Sequence, residues 1–239
     1  MPAINEQAVV SKLVREAPRR SRVFEQFGIG YCCGANRSIA EVCEEAGVET
    51  ESLLAELNRL ESETPEGAPV EELAPNDLIE HILLTHHAYL QKELPRLERM
   101  AERVASVHGN KDPRLEQVSQ AVQDLHEELR HHMGKEEHVL FPAIQNLVTG
   151  GDPAPVPLGR LSEPISAMNQ DHERAHQAIR VLSEYTDDFT PPDWACNTYR
   201  AMLDGMRELM ADLDAHTHKE DNLLFPQALA AEAELQARS

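Results

Sequence analysis

The 239-residue chain carries a formal net charge of −20, twelve His and only 4% aromatic residues. Nucleic acid and anionic membrane surfaces repel so acidic a chain, so neither is expected as a partner. No apolar run is long enough to span a bilayer and no charged-then-apolar signal opens the chain, so a soluble, cytoplasmic protein is expected.

Residues 1–61 read as a small helical domain. Ala8, Val9, Leu13 and Val14 mark a first amphipathic helix that must end before Pro18. Arg19 to Phe27 gives a second, with Val23, Phe24 and Phe27 as its apolar side. Gly28-Ile29-Gly30-Tyr31-Cys32-Cys33-Gly34 reads as a tight turn, because glycines supply positive φ or close backbone approach. Asn36 or Ser38 can cap a third helix that Gly47 stops, and Thr50 to Glu61 is a fourth, with Leu53, Leu54, Leu57 and Leu60 inward. Cys43 and Cys196 lie far from the adjacent Cys32 and Cys33, and nothing suggests a secreted disulfide framework. The polar, proline-rich segment from Ser62 to Pro69 opens a linker over 62–74.

From 75 to 239 only long helices are expected, at about 76–108, 113–148, 162–188 and 193–235. Short connections between them imply an all-α fold: an antiparallel, up-down-up-down four-helix bundle preceded by the small helical domain. Pro95, Pro142 and Pro226 are expected to kink or end the helices that hold them.

Two of these helices carry the same segment. His132-Met133-Gly134-Lys135-Glu136-Glu137-His138-Val139-Leu140-Phe141-Pro142 recurs 84 residues later as His216-Thr217-His218-Lys219-Glu220-Asp221-Asn222-Leu223-Leu224-Phe225-Pro226. In a helix, residues four apart share a face, so each copy points an imidazole and a carboxylate the same way.

Periodicity sorts the remaining histidines. The stripe Val118, Val122, Leu125, Leu129, His132, Glu136, Val139, Ala143 puts His132 and Glu136 at core positions, and leaves His126, His131 and His138 off it. The stripe Met206, Leu209, Leu213, His216, Glu220, Leu223, Gln227 repeats the result and excludes His218. Ile165, Met168, His172, Ala175, Ile179 and Leu182 select His172 over His176 on the third helix. On the first, both His87 and His108 fit, but roughly 31 Å of helix separates them. His87 lies 24 residues before Lys111 and Glu136 lies 25 after it, so these two are level in an antiparallel pair. His86, His108, His131 and His176 read as ordinary surface or supporting residues. Burying His87, His132, Glu136, His172, His216 and Glu220 at one level of a bundle needs a compensating partner, which a metal ion supplies. Six nitrogen and oxygen donors without a thiolate exceed a zinc site and suit iron or manganese, with the glutamates as bridges and the histidines as terminal ligands.

On these residues the bundle resembles the hemerythrin-like di-iron domain. With Tyr31-Cys32-Cys33-Gly34 ahead of it, Leu125-His126-Glu127-Glu128-Leu129 before the first repeat and Thr190-Pro191-Pro192 before the fourth helix, the whole chain resembles the repair-of-iron-centres family. It departs from the pattern in having Gly34-Ala35 after the Cys pair, where Gly-Gly is expected. The resemblance implies two non-haem, oxo-bridged iron ions on the six residues above. It also implies a proton or iron path through Glu128 and Asp171, and a redox or iron-transfer role for Cys32 and Cys33; a buried turn pair is the bland alternative for the two thiols. The implied function is repair of iron–sulfur clusters damaged by oxidative or nitrosative stress, by iron donation. The implied partners are damaged iron–sulfur proteins or a cluster scaffold, with nitric oxide or dioxygen as small ligands and a homodimer left open. A di-iron nitric oxide reductase and an oxygen or nitric oxide sensor are the alternatives.

Overall fold

In the computed structural model, which describes residues 4–17, 20–31, 37–62, 70–150 and 160–238, the chain opens with four short helices. These are α1 (Val10–Glu16), α2 (Ser21–Gln26), α3 (Ile39–Ala46) and α4 (Thr50–Ser62). Val10, Leu13, Val14, Val23, Phe24, Ile39, Val42, Leu53 and Leu57 close a small core between them. Ser38 caps α3 in a reciprocal capping box with Glu41, and Gly47 ends that helix in the left-handed region at φ 67°. Gly28 supplies the positive φ (69°) of the expected turn, while Cys32, Cys33 and Gly34 lie outside the described residues.

Four long rods follow. The first is α5 (Pro75–Ile82), a π turn (Leu83–His87) and α6 (Ala88–His108). The second is α7 (Arg114–Lys135), a π turn (Glu136–Leu140) and α8 (Phe141–Val148). The third is α9 (Ser162–Tyr185) alone, and the fourth is α10 (Asn197–Lys219), a π turn (Glu220–Leu224) and α11 (Phe225–Arg238). α6 packs on α7 and α10, α7 on α9, and α9 on α10, which closes the ring of an antiparallel four-helix bundle.

Three local expectations change. Pro95 lies inside α6 without ending it. Pro142 and Pro226 open α8 and α11 instead of ending their rods. Each follows a π turn, and at the first turn of the downstream helix a residue without an N–H is tolerated. The π turns also shift the register. Val139, expected in the core, is 42% exposed, while Leu140, Leu224 and Ala228 are buried where Val139, Leu223 and Gln227 were expected. One extra residue in a turn rotates everything downstream by about 100°. α9 has no π turn, and its whole expected stripe is buried. Its end falls at Tyr185 rather than 188, because Asp187, Asp188 and Phe189 take left-handed φ values of 51°, 58° and 53°. The Phe189 ring is buried in the bundle, which offsets a backbone cost of about 1–2 kcal/mol at that residue.

The N-terminal domain is fastened to the bundle through charge. Buried Glu93 accepts from Arg22 (3.1 and 3.2 Å) and from Arg96 (2.6 Å). Arg96 in turn donates to Ser21 and Glu25, and Asn197 Nδ2 donates to the Tyr31 carbonyl at 3.1 Å. Gly205 on α10 makes room for this network: a Cβ there would lie 2.8 Å from Leu97 Cδ2 and 3.0 Å from Glu93 Oε1. Alanine would gain about 1 kcal/mol of helix propensity, but overpacking a filled interior costs about 1–3 kcal/mol. Gly205→Ala is therefore expected to lower the urea unfolding free energy by about 1 kcal/mol, with the collision outweighing the propensity.

Candidate metal centre

The bundle has two apolar clusters, one running from Leu90 to Leu213 and the other built on Ile79, Ile82, Phe141, Ile144, Ile165, Leu224 and Phe225. Between them lies a polar layer. It contains His87, His132, Glu136, His172, His216 and Glu220, every one buried, with the two glutamates fully so. These are the six residues that periodicity selects, brought together from all four rods. Three of them sit at the edges of π turns: His87 ends the first, and Glu136 and Glu220 begin the other two. The widened turns set these side chains toward the axis, a common use of π turns at functional sites.

Each carboxylate straddles the centre. Glu136 presents Oε2 to His87 Nε2 at 3.3 Å and Oε1 to His132 Nε2 at 3.2 Å. Glu220 presents Oε1 to His216 Nε2 and Oε2 to His172 Nε2, both at 3.1 Å. Two groups of four donors result: His87, His216, Glu136 and Glu220 in one, His132, His172, Glu136 and Glu220 in the other. Both glutamates belong to both groups, which is the arrangement of bridging carboxylates between two cations.

The donors fit cations better than they fit one another. His87 Nε2, both oxygens of Glu136 and Glu220 Oε2 have no partner with hydrogen-bond geometry, although all are buried. An unpaired buried charge costs several kcal/mol, so lone pairs converging without partners call for a positive ion. Protons fill part of that role in the chain by itself. Burial alone would lower the His172 pKa, yet its hydrogen bond to Asp221 and the neighbouring charge of Glu220 push it up to about 10. Burial would likewise depress His87 and His132, but the nearby charge of Glu136 raises both. Glu220 runs the other way: burial would raise it, and His216 and His172 hold it well below the usual carboxylate range. A cation binding here displaces such protons.

Around the six lie residues the sequence reading passed over. His87 Nδ1 donates to Glu137 at 2.8 Å and His172 Nδ1 donates to Asp221 at 3.0 Å. Phe141 stacks on His87 and Phe225 on His172, at ring separations of 5.7 and 6.3 Å. The acid after each repeated Glu and the Phe before each repeated Pro thus serve an imidazole of another rod, a signal that the 84-residue repeat already contained. Asp171 is buried and accepts from Lys135 at 2.9 Å, with its Oδ2 3.5 Å from His132 Nδ1. Glu128 stands one step outward and accepts from Arg174, which also binds Asp171. His108 lies by the far turn, 3.3 Å from Cys196 Sγ, and takes no part. His86, read as an ordinary residue, is buried against His216 with parallel rings 5.1 Å apart. Cys32 and Cys33 lie outside the described residues.

Comparison with known proteins agrees with this geometry. The family model of the hemerythrin HHE cation binding domain matches residues 78–228, and that of a domain of unknown function, DUF542, matches residues 6–61. Over 215 residues the chain is 34% identical to the iron–sulfur cluster repair protein YtfE of Yersinia pseudotuberculosis serotype O:1b and to that of Yersinia pestis strain Pestoides F. In both cases the match spans 90% of this chain and 93% of the relative.

The shared carboxylates make a sharp expectation. Iron(II) added without oxygen at a hundredfold excess over its dissociation constant stabilises the chain by about 2.7 kcal/mol per site, seen as a raised unfolding temperature. Glu136→Ala removes a donor from both groups, and elemental analysis is expected to find fewer than two irons per chain.

Proposed function

We infer what this chain does from where it belongs: it is a member of the hemerythrin HHE cation binding family, with a DUF542 domain ahead of the bundle. It repairs iron–sulfur clusters damaged by oxidative or nitrosative stress, and we propose that it does so by donating iron. The cofactor of such a domain is a pair of non-haem iron ions. His87 and His216 would hold one, His132 and His172 the other, with Glu136 and Glu220 shared between them. Bound there, iron(II) supplies the metal that a damaged cluster has lost.

The observation that carries this reading is the size of the donor set. Each group offers two imidazoles and a share of two carboxylates, whereas an octahedral ion takes six donors. Open positions leave the hold on iron loose enough for release, and they give nitric oxide or dioxygen a place as small ligands. The two apolar clusters keep bulk water from either end of the polar layer. In the chain alone, the neighbouring carboxylates raise the pKa values of His87, His132 and His172, so protons can supply part of the positive charge that the layer needs. Asp171 and Glu128 run from His132 to the surface and serve as a path for protons or iron. Cys32 and Cys33 act in redox or iron transfer within the N-terminal domain (1–61), which a linker (62–74) joins to the bundle (75–239). The partner is a damaged iron–sulfur protein or a cluster scaffold, met in the cytoplasm; no helix among the described residues is long and apolar enough to cross a membrane.

The test is an anaerobic reconstitution. Iron-loaded protein, an apo cluster scaffold and a sulfide source are expected to yield cluster absorbance as the iron content of the donor falls. Cys32→Ala/Cys33→Ala is expected to slow transfer severalfold with its iron content unchanged. Iron that stays bound while nitric oxide is turned over to nitrous oxide would replace donation with a reductase.

A further inference from the structure

The centre has an internal near-twofold symmetry, and one of its breaks puts different chemistry beside the repeated histidines. The repeat matches His132 with His216, Lys135 with Lys219 and Glu136 with Glu220, each 84 residues apart. The same offset matches Glu128 with Asp212. On the other two rods, His87 matches His172 at a separation of 85, and the residue before each is His86 in one half and Asp171 in the other. Their surroundings correspond as well. Lys135 Nζ donates to Asp171 at 2.9 Å, and Lys219 Nζ donates to His86 Nε2 at 2.8 Å. One half therefore has a carboxylate where the other has an imidazole.

The consequence falls on the repeated histidines. In the half of His132 and His172, both ligand imidazoles have a carboxylate oxygen near Nδ1: Asp221 at 3.0 Å from His172, and Asp171 at 3.5 Å from His132. In the half of His87 and His216, only His87 does, through Glu137 at 2.8 Å. His132 Nδ1 and His216 Nδ1 are both buried without a hydrogen-bond partner, so the halves differ in the carboxylate that stands 3.5 Å from His132 and has no counterpart at His216. His86 fills the position, but it cannot serve as acceptor. Its Nε2 takes the proton of Lys219, its Nδ1 donates to Asp212 at 2.8 Å, and only its ring face meets His216. A carboxylate beside the outer nitrogen favours one tautomer of the ring and raises its basicity, and loss of an orienting partner of this kind typically weakens metal binding about 10–100-fold.

We propose that the two metal positions are unequal: His132 and His172 form the tight one, His87 and His216 the labile one, and the exchange of Asp171 for His86 sets the difference. This rests on the dinuclear reading above and identifies which ion leaves first when iron is donated. Asp171 and His86 are positioning residues here, acting on the metal through His132 and His216.

The experiment is an anaerobic titration of the full metal-free chain with iron(II), read against a competing chelator. Two steps are expected, separated by about 10–100-fold in affinity. His86→Asp gives the labile half the carboxylate that the other half has. It is expected to tighten the second step by about tenfold and leave the first unchanged, a gain that a merely structural role for His86 would not produce. Asp171→Asn is expected to weaken the first step by about tenfold, and it decides the matter by itself if His86→Asp fails to fold. Two ions taken up with indistinguishable affinities, or Asp171→Asn acting on the second step, overturn the inequality while leaving the dinuclear reading intact. Uptake of fewer than two ions overturns both.

Discussion

The bundle is organised by the cost of burying six ionisable side chains in one layer. Glu136 and Glu220 are fully buried, and apolar clusters close off the layer on both sides. An ionised carboxylate moved from water into such surroundings costs several kcal/mol even after relaxation, and two lie within one small volume here. Hydrophobic packing cannot recover that loss at the same positions, since the glutamates occupy space that leucines would otherwise fill. Positive charge can, whether as protons on the surrounding imidazoles or as cations between them. The pKa shifts in the layer follow from this, with His87, His132 and His172 raised and Glu220 lowered.

That demand explains the π turns. A regular α-helix that keeps leucines on the axis on both sides of the layer cannot also aim every ligand at one point. Three of the four rods widen by one residue at the layer, and each widened turn begins or ends on a ligand. The fourth, α9, stays regular and brings His172 to the layer. Here lies the boundary of what the sequence makes legible. A constant period of 3.6 describes α9 throughout, and it describes α7 and α10 up to their ligands. Beyond them it misplaces Val139, Leu223 and Gln227, because a π turn has no strong composition signal of its own. The nearest clue is the proline six residues after each repeated glutamate, which reads as an ending when it is the start of a new α segment.

The six clustered side chains were legible for the opposite reason. A histidine or glutamate in an apolar stripe contradicts the pattern around it, and six contradictions at one level point to a site. Residues that support the ligands contradict nothing. Glu137 and Asp221 look like ordinary solvated acids, and His86 lies off every apolar stripe, so periodicity discards it. Only the contact between rods reveals that Glu137 binds His87, that Asp221 binds His172 and that His86 stacks on His216. The role of Phe141 and Phe225 against His87 and His172 depends on the same contacts.

Each repeat therefore works mainly on its neighbours. It contributes its own His and Glu to the centre, while its acid and its Phe hold the imidazole of another rod. A single copy would leave its acid without an imidazole to orient and its Glu with one oxygen facing nothing. The two copies complete each other only through the helices of His87 and His172, which lack the repeat. Those helices are also where the symmetry is free to fail, since nothing in the repeat dictates the residue before their histidine. One of them has His86 there and the other Asp171. A site built from two nearly identical halves thus differs at a position that neither copy of the repeat controls, beside His216 in one half and His132 in the other.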